Sequence, residues 1–116
     1  MIGLRFSNVM APEDYSAFPS FDADPSVRQW NAWGYIDARD GAQAVRLGLQ
    51  ADLLGREIFI IANADTVMSR SSASLAADVF PDLEIRTELS EHQTLLSIDK
   101  ARRMLGFEPQ FSWRTG

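Results

Sequence analysis

The chain opens on a short apolar run, Ile2-Gly3-Leu4-Arg5-Phe6, whose length fits a buried strand. Residues 7–24 break that pattern with Asn8, Pro12, Asp14, Pro19 and Asp22, a loop composition. Pro25-Ser26 can open a short helical turn ending near Trp30, and residues 34–38 suit a short strand. The clearest helix follows. Ala42, Val45, Leu49 and Leu53 recur at helical spacing, Asp37 or Asp40 can cap the start, and Gly55 stops it. In residues 57–62, four consecutive large apolar residues predict a strand buried on both faces, as in a parallel sheet. Asn63-Ala64-Asp65 marks the turn after it. Residues 69–80 read as a second helix with Leu75, Ala76, Val79 and Phe80 inward, ended by Pro81-Asp82. Residues 83–86 suit an edge strand. Asp99 is placed to cap a third helix over 100–105, with Gly106 as its terminator. An extended tail with Phe111 and Trp113 closes the pattern. Strand, loop, strand, helix, strand, helix, short strand, helix is an α/β order in a single region, residues 1–116.

Composition narrows the partners. With 46% hydrophobic and 23% charged residues, the chain has the means to build a core. A formal net charge of -5 shows no basic face of the kind a nucleic-acid binder carries, and nothing favours an anionic membrane surface. No apolar run reaches the roughly 18 residues that span a bilayer. Without a targeting segment the expected location is cytoplasmic. Cysteine is absent and His92 is the single histidine, which excludes a disulfide scaffold and leaves little for a metal site.

Three segments carry a resemblance. Leu4-Arg5-Phe6-Ser7-Asn8-Val9-Met10-Ala11-Pro12 is similar to L-R-x-x-N-V-Y-G-P. Tyr35-Ile36-Asp37-Ala38-Arg39-Asp40-Gly41-Ala42 is similar to Y-I-H-V-x-D-x-A. Asp99-Lys100-Ala101-Arg102-Arg103-Met104-Leu105-Gly106-Phe107-Glu108-Pro109 is similar to D-x-S-K-A-x-x-x-L-G-[WF]-x-P, and Phe59-Ile60-Ile61-Ala62-Asn63-Ala64 is a weaker match to F-N-I-G-x-G. In order and spacing the chain resembles the C-terminal portion of the extended short-chain dehydrogenase/reductase family, the NAD-dependent epimerases and dehydratases. The resemblance implies the last part of a Rossmann-type fold with a small mixed α/β substrate-binding region. It also implies a parent enzyme that uses NAD or NADP on a sugar-like small molecule. The Gly-rich turn that holds a dinucleotide pyrophosphate is not in this sequence. Nor is a Tyr-x-x-x-Lys pair: four residues after Tyr15 and Tyr35 stand Pro19 and Arg39. No catalytic residue is therefore assigned, and no cofactor is expected to bind this chain tightly by itself.

The same resemblance points to Asn8 as a substrate-binding amide, with Phe6, Ser7 and Val9 lining the nicotinamide end of a cofactor. From the residues alone, Asn8 reads equally as a loop residue bonded to its own backbone, and Phe6 as core. Arg86 lies near the position of a diphosphate-binding arginine, or is a solvated surface residue. Trp33 stands where the family often has a phosphate-gripping arginine; an indole offers only a stacking face and one N–H, which disfavours a nucleoside-diphosphate sugar. Trp30, Trp33 and Tyr35 read as core or subunit contact. Asp37 and Asp40 read as solvated charge, with Asp40 set to cap the helix. Two functions stay open: the substrate-binding part of such an enzyme, or a stand-alone binding or oligomerisation module derived from one. The first predicts self-association through an exposed sheet edge or apolar surface, and the second a monomer or a defined oligomer with cooperative unfolding.

Overall fold

The structure, a computed structural model, describes residues 1–82, 84 and 89–114. Its elements in chain order are β1 (Ile2–Phe6), β2 (Val9–Met10), two 3-10 segments (Pro12–Ala23 and Pro25–Asn31), β3 (Ile36–Asp37), α1 (Ala38–Gln50), β4 (Glu57–Ile61), α2 (Ser72–Val79) and α3 (Asp99–Leu105). The strands pair in two short parallel ladders. β1 lies beside β4 with Ile2 opposite Glu57 and Phe6 opposite Ile61, and β2 lies beside β3 with Val9 opposite Ile36. The mixed α/β character read from the sequence is observed, with β1, β3, α1, β4, α2 and α3 in the expected order among the described residues.

Local signals account for most element ends. Asp37 caps α1, its carboxylate accepting from the Arg39 N–H at 2.8 Å. Ser71 caps α2 through the Ser74 N–H. That helix therefore starts at Ser72, not at residue 69, because Ser69 is held by Asp22. Asp99 is the first residue of α3 and not its cap; Ile98 stands in the cap position without a side-chain bond. Gly106 closes α3 in the left-handed region, φ 71°, as expected. The expected loop over 7–24 holds β2 and a 3-10 segment, and the strand over 34–38 shortens to Ile36–Asp37. The edge strand expected over 83–86 falls largely outside the described residues.

Two cores result. The first joins Phe59 and Ile61 to Ala44, Ala101, Leu105 and Phe107, so α1 and α3 cover one face of the β1–β4 pair. α1 meets the sheet through small residues. Gly41 lies where a Cβ would be 3.5 Å from the Phe6 ring, and at Gly48 it would be 3.9 Å from Ile2. Of the repeat that announces the helix, Ala42, Val45 and Leu49 are exposed, and the half-buried Leu53 lies beyond α1, which ends at Gln50 and not at Gly55. The small-residue stripe won the sheet because it lets helix and strand backbones approach closely. The opposite face of the pair, Gly3, Arg5, Ile58 and Ile60, carries no layer among the described residues, and Ile58 is 45% exposed. β4 is thus parallel, as predicted, but buried on one face only.

The second core gathers Phe18, Trp33, Tyr35, Met68 and Leu75, with Trp113 of the tail against them. Phe18 sits edge-on to both Tyr35 and Trp113, at 5.3 and 5.4 Å between ring centroids. Trp33 and Tyr35 are core, as read from the sequence; Trp30 is not, at 71% exposed.

Candidate functional site

In a parallel α/β layer, ligands collect beyond the carboxyl ends of the strands. Here that region is the step from β1 to β2. The Ser7 N–H donates to the Ile61 carbonyl at 3.0 Å, the last rung shared with β4. One residue later the Asn8 carbonyl accepts from the Ile36 N–H at 3.0 Å, the first rung shared with β3. The chain changes partner between these two residues. The half-buried Asn8 is left at the split with a side-chain amide that makes no hydrogen bond among the described residues. The alternative sequence reading, an Asn8 amide closed onto its own backbone, is not what the structure has. Phe6 at 43% and Val9 at 53% exposure flank it as an open apolar margin.

Behind Asn8 the wall is tight. The Ser7 Oγ and Asn31 Oδ1 are both buried without a hydrogen-bond partner. Asn31 uses its Nδ2 on the Gly34 carbonyl at 3.3 Å. Gly34 is required for space: a Cβ there would lie 2.7 Å from Leu96 Cδ1, 2.9 Å from Ser7 Oγ and 3.2 Å from the Asn31 carbonyl. Ala32 and Trp33, just before it, both hold positive φ, 52° and 59°, which strains non-glycine backbone. That turn drives the Trp33 indole inward, where it is fully buried and donates to the Pro25 carbonyl at 2.9 Å. Trp33 presents no face to a ligand; it fixes the turn that holds Asn31 and Gly34. Arg86 lies outside the described residues. Beyond Leu96 a cavity of about 840 Å³ runs past Asp65, Thr94 and Asp99.

The carboxyl ends of β3 and β4 are closed by the tail. Asp40 accepts from the Gln110 and Phe111 N–H groups at 2.9 and 3.0 Å. Asn63 donates to the Phe111 carbonyl at 2.6 Å and accepts from the Asp37 N–H. Asp65 takes the Tyr35 hydroxyl at 2.7 Å, the Ser112 hydroxyl at 2.7 Å and the Arg114 guanidinium at 2.6 Å. Sequence reasoning had Asp37 and Asp40 as solvated charge. Both are buried, because each has found donors that replace water. Asp37 is held by Tyr15 and, through two guanidinium bonds at 2.8 and 2.9 Å, by Arg39, which stacks over the Phe111 ring.

Their charges respond accordingly. Burial pushes the Asp37 carboxyl up, but the Arg39 and Tyr15 hydrogen bonds outweigh it and its pKa lies below the usual value. Asp40 goes the other way: burial raises it, and the two backbone donors offset only part. Burial also raises Tyr15 and Tyr35, each further held neutral by its carboxylate partner, Asp37 or Asp65. Both phenols keep their protons at neutral pH. The open end of β1 thus offers an amide and an apolar margin, groups suited to hydrogen bonding and packing. Among the described residues no group of three or more His, Cys, Asp or Glu is placed to hold a metal, and no helix is long and apolar enough to cross a membrane.

No family model, curated protein or solved structure matches the chain.

Proposed function

We propose that this chain is the substrate-binding part of an NAD(P)-dependent epimerase, dehydratase or dehydrogenase acting on a sugar or similar polyol. The observation that carries the reading is the unfinished β1–β4 pair. Parallel sheets are ordinarily covered on both faces; among the described residues this one has a bare face bearing Ile58 and Ile60, and β1 has no strand on its outer edge. A preceding α/β domain would complete both, and would supply the Gly-rich turn and the Tyr-x-x-x-Lys pair that this sequence lacks. The split at Asn8 supports the same reading, since it leaves at the carboxyl end of β1 an amide that makes no hydrogen bond among the described residues, with Phe6, Ser7 and Val9 beside it for the cofactor's nicotinamide end. Trp33 acts by positioning that wall. The dinucleotide itself would rest on the preceding domain and supply the hydride chemistry.

The intact mass of the native gene product tests this. A product longer by roughly one domain or more, carrying both motifs upstream of Ile2 and binding NAD(P)H, is the expected result. A native product of 13.0 kDa removes the oxidoreductase reading and leaves a stand-alone binding module.

A further inference from the structure

We infer that Ser7 and Asn31 form a hydroxyl-reading subsite behind Leu96, built for an unphosphorylated sugar or another neutral polyol. The inference rests on the reading above in taking a sugar-like ligand at the carboxyl end of β1. It deepens that reading by naming the ligand group that is read and the residues that read it.

Two buried polar atoms of one wall lack partners among the described residues, the Ser7 Oγ and the Asn31 Oδ1. Leaving such atoms unbonded is costly, and each calls for a reason. Gly34 brings them together. The Ser7 Oγ lies 2.9 Å from the point a Gly34 Cβ would take, and Asn31 donates its Nδ2 to the Gly34 carbonyl at 3.3 Å. That bond decides which end of the amide is spare: the donor is used, and the acceptor-only oxygen is left over. The wall is also held under strain. Ala32 and Trp33 keep positive φ, and the Trp33 indole fixes the turn on the Pro25 carbonyl.

One side chain stands between this pair and open space. The Leu96 Cδ1 lies 2.7 Å from the same Gly34 point, and the half-buried Leu96 lines the cavity of about 840 Å³. A change of leucine rotamer joins the cavity to the Ser7 Oγ. The group that enters must donate to the Asn31 Oδ1 and bond the Ser7 hydroxyl. A ligand hydroxyl does both. A phosphate, carboxylate or ketone oxygen only accepts, and meets the Asn31 Oδ1 as a repulsion. An ammonium has three donors to place and finds two acceptors. Charge agrees. Among the described residues the cavity wall carries the carboxylates Asp65, Glu84 and Asp99 against one guanidinium, Arg102, which Glu108 already holds at 3.0 Å. A phosphate would find no spare arginine or lysine there, whereas a neutral polyol meets no such penalty.

The test is titration of the native product with D-glucose, D-galactose and D-mannose, their 1-phosphates and their monodeoxy derivatives. Binding is read by calorimetry and ligand-observed NMR, with and without NADH or NADPH. At least one free hexose is expected to bind, roughly tenfold or more tightly than its 1-phosphate. Ser7→Ala should weaken that hexose about tenfold, as one lost hydrogen bond does. Its urea midpoint should stay at or above the parent's, because a buried oxygen without a partner has been removed. One monodeoxy derivative should lose the same factor in the parent and nothing further in Ser7→Ala. A lowered midpoint, binding unchanged by Ser7→Ala, a 1-phosphate bound as tightly as its free hexose, additive losses, or no hexose bound overturns the inference. If the product carries the Gly-rich turn and the Tyr-x-x-x-Lys pair and oxidises a substrate whose binding ignores Ser7→Ala, the enzyme reading stands and the subsite falls. If a hexose binds in a Ser7-dependent way to a product that lacks both motifs, the subsite stands and the enzyme reading falls.

Discussion

Around Tyr35 nearly every buried polar group has a partner from a distant part of the chain, whereas the β1–β4 pair is joined by no further strand among the described residues. The first region spends Asp40, Asn63 and Asp65 on pinning residues 110–114, and among the described residues it has no apolar face left over. The second has well-packed Phe59 and Ile61 on one side and bare Ile58 and Ile60 on the other. Closure here is made by side-chain polar bonds of high sequence separation. Openness is left where only backbone pairing and apolar packing operate, interactions that another chain or domain can extend. The strongest way to break this contrast is to unpin the closed region. Asp65→Ala leaves the Tyr35 hydroxyl, the Ser112 hydroxyl and the Arg114 guanidinium without their shared acceptor. A loss of about 3 kcal/mol is expected, read as a lower urea midpoint, with Trp113 emission shifting red before the core unfolds. An unchanged midpoint would mean the tail is not what closes this half.

Next in size is Gly34→Ala, which touches the wall between the two regions. The new methyl would meet Leu96, Ser7 and a backbone carbonyl at Asn31, and only the first two can turn away. The expected cost is about 2 kcal/mol, measured by denaturation. Leu96→Ala in the same chain should recover part of it, because it removes the closest contact; no recovery would place the strain in the backbone.

The contrast also explains what could be read from the sequence. β1, β4, the start of α1 and the end of α3 were legible because their signals are local: an apolar run, a cap at Asp37 and a stop at Gly106; α1 ends at Gln50, short of the stop expected at Gly55. The face that α1 buries was not, since Gly41, Ala44 and Gly48 carry less apolar surface than Ala42, Val45 and Leu49 and win by close approach to β1. The 3-10 segment Pro12–Ala23 was hidden by Pro12 and Pro19, which read as loop. The tail network was out of reach because its bonds span 46 to 78 residues, as in Trp113 to Tyr35. At the candidate site, the exit of Asn8 from a strand was legible. Asn31 and Gly34 behind it were not, because a turn with two positive φ values has no signal in Ala32-Trp33.

A smaller effect sharpens the comparison through pH. Asp37 has a lowered folded pKa, so the stability it adds is present above its unfolded value of about 3.9 and lost as pH falls below it. Asp40, with a raised folded pKa, acts oppositely: stability falls as pH rises from about 3.9 through the higher folded value. Asp37→Asn keeps a helix cap but removes the titrating group. The variant should lose about 1 kcal/mol at neutral pH and show a flatter acid limb, read from urea midpoints at several pH values. A limb as steep as in the parent chain would assign acid sensitivity to carboxylates elsewhere.

The smallest expected change in stability is at Asn8, and that is its use. The amide has no partner among the described residues, so Asn8→Ala should shift the unfolding midpoint by no more than about 0.5 kcal/mol. A structural asparagine would cost about 1 kcal/mol or more, since its bonds would go unmade. In the native product, the same substitution should raise the apparent dissociation constant for a sugar-like substrate several-fold while leaving NAD(P)H binding intact, because the proposed reading puts the amide on the substrate side of the split. Stability lost with binding unchanged would place Asn8 in the frame of the protein and move the ligand away from the end of β1. Stability kept with binding lost would mark the open region as the working one, and the closed region as the support that holds Asn8 still.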